Sequence, residues 1–148
     1  MTTGGRGREA EQIYVFVQHL GRRLRDIDRA SGISPARFSA LAGLAFDGPT
    51  NVSELAAFER VKRPTMTRLI QDMERDGLVE RHADPVDGRG VRIRITARGR
   101  RLVQQVRQRK IALVQEFLDR LDPKTVSAIG DTFEALFTLG VPRTTTGG

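Results

Sequence analysis

The chain of 148 residues has no cysteine, one tyrosine and two histidines, and aromatic residues make up only 5% of it. Without cysteine there is no disulfide framework, no thiolate zinc site and no thiol redox switch. The composition fits a reducing compartment. His19 and His82 lie far apart in the sequence and make a poor metal pair, so each reads as a surface or packed residue. No nucleophile elbow, paired catalytic carboxylates or glycine-rich phosphate loop is present, since Gly88 and Gly90 belong to a turn. Neither an enzyme nor a resident cofactor is expected. No apolar run approaches the ~18 residues that span a bilayer. The stretch MTTGGRGREAEQ lacks the apolar segment of a signal peptide. A cytoplasmic protein with no membrane partner is expected.

Basic charge is what the chain has in excess. The formal net charge is +7, which points to an anionic partner. Between Lys62 and Lys110 there are 14 Lys/Arg and 6 Asp/Glu, and the remainder is nearly balanced with 11 and 12. The whole excess therefore lies in one contiguous third. A solvated basic face explains such a run as well as a binding surface does.

Periodicity places the elements. Ile13, Phe16, Val17, Leu20, Leu24 and Ile27 form one face of a helix over about Glu9–Arg29. Ser34-Pro35 starts a second helix with apolar Phe38, Leu41, Leu44 and Ala45, broken at Asp47-Gly48-Pro49. Asn51 caps a short third helix, with Glu54 completing a capping box and Leu55, Ala56 and Phe58 as its apolar side. A fourth begins near Lys62 or Arg63, carries the stripe Met66, Leu69, Ile70, Met73, and stops at Gly77. The period then changes to two. Leu78–His82 and Val91–Ile95 read as strands of a hairpin around the turn-forming residues 84–90. Thr96 caps a long fifth helix over about Ala97–Leu121. Asp122-Pro123 opens a sixth, with Val126, Ile129, Phe133, Leu136 and Phe137 expected to face inward. Met1–Arg8 and Pro142–Gly148 read as flexible tails.

A short helix, a tight turn and a polar-fronted second helix make a helix-turn-helix. The front here is Arg63, Thr65, Thr67, Arg68, Gln71 and Asp72, with Lys62 at the helix start. Arg68 suits base edges or phosphate, and Thr65 and Thr67 suit phosphate oxygens or a thymine methyl. Arg89 stands at the hairpin tip between two glycines, and a narrow minor groove attracts an inserted arginine. Asp87 is placed to hold that guanidinium, and Arg92 adds to the basic hairpin. Together these favour DNA binding over an ordinary surface helix and a solvated loop.

Residues Asn51–Leu102 resemble the winged-helix core of the MarR family of bacterial regulators. The matching pieces are Val52-Ser53-Glu54-Leu55-Ala56, Pro64-Thr65-Met66-Thr67-Arg68, Gly77-Leu78-Val79, Asp87-Gly88-Arg89 and Thr96-Ala97-Arg98-Gly99. The resemblance extends over about Glu9–Leu139. It implies a mostly α, α+β winged-helix fold of six helices and a two-stranded hairpin wing. It implies one domain over 1–148, with 34–96 as the DNA-binding region and 9–30 and 97–140 as a helical dimerisation region. It implies a homodimer on double-stranded DNA, each copy placing its fourth helix in a major groove and its wing in a minor groove. Arg63, Thr65, Thr67 and Arg68 take the recognition positions, and Asp87 and Arg89 the wing pair. Many members are repressors, and many release DNA on binding a small aromatic or phenolic acid. Tyr14, Phe16, Phe38 and Phe46 are the aromatics that would line such an effector pocket. Two departures stand out. Arg60 occupies a turn position often held by glycine, and Lys62 replaces the usual Ser/Thr cap.

The apolar stripes of the first, fifth and sixth helices exceed what a small winged-helix core covers, which by itself suggests a symmetric dimer and a palindromic operator. Two other readings stay open at this level: a non-specific architectural DNA-binding protein using the same basic surface, and a winged helix serving as a protein-interaction module. Arg89 argues against the latter.

Overall fold

A computed structural model describes residues 5–140. The element order is α1 (Gly5–Ala30), α2 (Pro35–Phe46), α3 (Val52–Phe58), α4 (Arg63–Arg75), β1 (Val79–Ala83), β2 (Val91–Ile95), α5 (Ala97–Leu118) and α6 (Pro123–Thr138). The expected six helices and antiparallel hairpin are present. Residues 142–148 and 1–4, expected as tail residues, lie outside the described part, as does residue 141.

Capping chemistry starts most of the helices. The side chains of Ser34, Asn51, Thr96 and Asp122 accept the backbone N–H of Arg37, Glu54, Gly99 and Thr125. Each satisfies one of the orphan donors of a first turn. α1 starts at Gly5, earlier than its apolar stripe, because extending an existing helix through Arg6 and Arg8 costs little. α5 ends at Leu118 rather than Leu121, where Asp119 caps it. Gly77, at φ +70°, ends α4 in the left-handed region, and Leu78 N–H closes the turn on Met73 O at 2.9 Å.

The core lies under the winged helix. Leu41, Leu44, Met66, Ile70, Met73, Ile93 and Val106 are fully buried there. β1 and β2 pair from Val79↔Ile95 to Ala83↔Val91, so Ile93 and Ile95 point inward while Arg94 points out. Thr50 adds a bridge to Ile93, which fastens the α2–α3 connection to the hairpin. Gly99 lies where α5 crosses under the strands. A Cβ there would stand 2.3 Å from the carbonyl oxygen of Leu78.

Two expectations are corrected. Residues 5–8, expected as part of a flexible N-terminal tail, form the start of α1; Phe58, on the apolar side of α3, is 61% exposed, because α3 turns only Leu55 and Ala56 inward. α6 has no buried residue at all. Its Phe133 and Leu136 are exposed, since among the described residues no other element packs closely enough to cover that side.

Candidate nucleic-acid interface

α4 has the form of a recognition helix. Met66, Ile70 and Met73 anchor its back in the core, which leaves Arg63, Thr65, Arg68 and Gln71 exposed on its front. Lys62 is the N-cap residue and makes no side-chain cap bond, so its ammonium is left to solvent beside the helix start. Thr67 is half-buried and its hydroxyl donates to Arg63 O at 2.9 Å, so the thymine-methyl role fits it better than phosphate donation. Asp72 on the same front is paired with Arg75.

The turn into α4 carries Arg60 at φ +54°, the one described non-glycine residue in the left-handed region. That explains the departure seen in the sequence: the geometry suits glycine, and arginine holds it at a cost of about 1–2 kcal/mol. The turn is closed by Arg60 N–H on Ala57 O at 3.1 Å and Val61 N–H on Ala56 O at 3.0 Å.

Asp84 organises the wing. Its carboxylate accepts the N–H of Val86 at 2.9 Å and of Asp87 at 3.3 Å, and pairs with Arg92 Nε at 2.9 Å. The Val86 bond first, then the Arg92 guanidinium, holds its carboxyl below the usual aspartate range. The residue alternation shows Arg92 as an outward cation of the hairpin. Instead its guanidinium is spent inside the protein, on Asp84 and on Pro49 O at 3.2 Å. Asp87 meets Arg89 differently from the expected ion pair. Its Oδ1 accepts the Arg89 backbone N–H at 3.2 Å, which shapes the tip and leaves the guanidinium exposed and without an ion-pair partner among the described residues.

The lysine and arginines from Lys62 to Ile95 thus divide into two sets. Arg75, Arg81, Arg92 and Arg94 are each bound to a carboxylate, of Asp72, Glu74, Asp84 and Glu80. Lys62, Arg63, Arg68 and Arg89 have no ion-pair partner among the described residues. The Glu74–Arg81 pair also ties the last turn of α4 to β1, which sets the wing against the helix. Sequence reasoning missed Asp84, although an aspartate opening a Pro- and Gly-containing loop is a recognisable Asx-turn signal.

A second feature is a cleft of about 590 Å³ between α2, α3 and α5, with Leu24 of α1 at its edge. Phe38 and Phe46 line it, as does Phe58. Tyr14 does not, and Phe16 stands elsewhere, edge-on to Phe117 at 5.9 Å. Among the described residues no cluster of side chains is arranged to hold a metal ion, and no helix is long and apolar enough to cross a membrane.

A helix-turn-helix whose second helix presents free cations, followed at once by an arginine-tipped hairpin, defines a winged helix-turn-helix DNA-binding protein. The sequence profile of the MarR family matches residues 33–91, and the HTH-type transcriptional regulator Mb0904 of Mycobacterium bovis is 35% identical over 115 residues, 78% of this chain and 80% of that one. The chain belongs to the MarR family of transcription regulators. The transcriptional repressor IacR of Pseudomonas putida is 27% identical over 82% of this chain and 71% of its own length. A MarR family protein from Bacillus stearothermophilus has the same fold, with a TM-score of 0.84 at 25% identity over 96% of this chain and 99% of that one. These relatives are regulators, not enzymes.

Proposed function

We propose that the protein is a homodimeric, sequence-specific repressor acting on DNA in the cytoplasm. Two copies join through 9–30 and 97–140, and each sets α4 in a major groove and its wing in a minor groove. The operator is palindromic, with half-sites about one helical turn apart. The observation that carries this reading is the division of cations. Between Lys62 and Ile95, Lys62, Arg63, Arg68 and Arg89 have no ion-pair partner among the described residues, whereas Arg75, Arg81, Arg92 and Arg94 each hold a carboxylate. Thr65, Thr67 and Gln71 supply the polar contacts between them, while Asp87 shapes the wing tip and Arg92 stiffens its base. Repression is supported by the relative named as a repressor. Dimerisation is supported by α6, whose Phe133 and Leu136 are about half exposed among the described residues. The cleft lined by Phe38, Phe46 and Phe58 suits a small aromatic or phenolic acid whose binding releases the DNA.

The test is binding to the DNA upstream of the protein's own gene against scrambled DNA of equal composition, over a range of salt. A preference of about 10³-fold or more, with one dimer per site, is expected for specific regulation. Equal affinity for both, falling steeply with salt, would instead show a non-specific architectural binder. No binding to either at low salt would leave a protein-interaction module.

A further inference from the structure

Asp28 is the only charged residue buried among the described residues, at 3% exposure. It lies in the last turn of α1, where its carbonyl oxygen accepts the N–H of Ser31 and Ile33, each at 3.1 Å, as the chain turns toward α2. Its sole ion-pair partner among those residues is Lys110 of α5, with Nζ 2.6 Å from Oδ1. The contact is one of charge and proximity, because no donor is aligned on that oxygen. The same ammonium stands 3.6 Å from the ring centroid of Phe38 on α2. One cation therefore joins α1, α2 and α5 at a point.

Lys110 also faces the cleft, beside Arg107, which has no ion-pair partner among the described residues. Phe46, Phe58, Val114 and Leu118 make most of the remaining wall apolar, with Gln115 its one uncharged polar side chain. Asp47 is the one acidic lining residue, and it lies ~13 Å further along α2 from Phe38 at 1.5 Å per residue. The cationic end of the cleft is thus well separated from its carboxylate. A buried carboxylate that loses its only counter-ion is strongly destabilised, so the pair is a point where binding in the cleft is felt by the helices.

We infer that Lys110 is a shared latch: an apolar carboxylate entering the cleft takes its ammonium from Asp28, and the unpaired Asp28 loosens the α1–α2 joint. This rests on the effector reading above and adds which side chain takes the ligand's acid group and which contact that breaks. A neutral ligand of the same shape fills the cleft without opening the joint. Arg23–Glu116 at 3.7 Å and Arg109–Ser31 at 3.0 Å keep α1 and its C-terminal turn tethered to α5, so the joint loosens rather than separates.

The probes are 2-naphthoate and its neutral counterpart 2-naphthamide, added to the full chain. Affinity is read by calorimetry and the joint by amide hydrogen exchange at Ser31 and Ile33. Naphthoate is expected to bind about tenfold tighter than naphthamide, the gain of one charge-assisted contact. It alone should speed exchange at the joint. The double variant Asp28→Asn/Lys110→Met removes both charges and so spares the fold an orphaned ion. It should bind the two probes equally and show no probe-dependent exchange, while Arg107→Met keeps the exchange response. Preference for naphthoate persisting in the double variant would overturn the latch and leave the effector reading intact. So would tight naphthoate binding to the unaltered protein with exchange unchanged. Binding of neither probe would overturn both.

Discussion

α4 and α6 begin alike and end differently. Each has a proline in its first turn and an apolar stripe down one side. The stripe of α4 is covered by its own chain, with Met66, Ile70 and Met73 at 0% exposure and Leu69 half-buried. That of α6 is not, with Phe133 at 55% and Leu136 at 42%. Amphipathicity says that a helix has a face to bury and is silent on what buries it. The winged-helix body covers its apolar stripe within one chain, and the flank built from α1 and α6 leaves large apolar side chains exposed among the described residues.

The body breaks most sharply at Gly99. Adding one methyl there drives it into the Leu78 carbonyl and the Ile95 side chain. Gly99→Ala is expected to cost about 3 kcal/mol, the upper range for overpacking, read as a lowered urea midpoint. A loss below about 1 kcal/mol would mean that the strands and α5 are not held in this register.

The flank should break without the body. Leu136→Glu is expected to weaken self-association by about 2 kcal/mol or more, a typical interface anchor, while far-ultraviolet circular dichroism stays unchanged. Analytical ultracentrifugation gives the dissociation constant. Unaltered association would remove α6 from the interface.

Arg60→Gly sharpens the comparison in the other direction. Relief of the left-handed arginine should raise stability, by about 1 kcal/mol at most, because glycine loses more chain entropy on folding. Thermal melting of the two proteins side by side checks it. A destabilised variant would show that the Arg60 side chain contributes more than its backbone strain costs.

Most of the body was legible in the sequence because its signals are local. Ser34, Asn51, Thr96 and Asp122 sit directly before helices and cap them, and the change of period after Gly77 marks the hairpin. The misreadings share a cause, which is that alternation and periodicity give a direction but not a partner. Arg92 was read as outward and is held by Asp84, across the hairpin. Phe58 shares the apolar side of α3 with Leu55, yet it opens on the cleft and stays exposed. The Asp28–Lys110 pair joins residues on α1 and α5, and no local pattern announces it. Of the candidate interface, the residues were legible in Pro64–Arg68 and Asp87–Arg89. Which cations are free was not, since that depends on the carboxylates each one meets in the fold.

That division is the central claim, and one set of DNA titrations tests it. On a DNA fragment selected by the protein from random sequence, fluorescence anisotropy compares Arg68→Ala and Arg89→Ala with Arg75→Ala and Arg94→Ala. All four substitutions remove one positive charge. The account predicts losses of about 1–3 kcal/mol for the first two and losses within about 0.5 kcal/mol for the second two, whose exposed pairs matter little. Equal losses across the four would contradict it, because DNA would then sense only the summed charge.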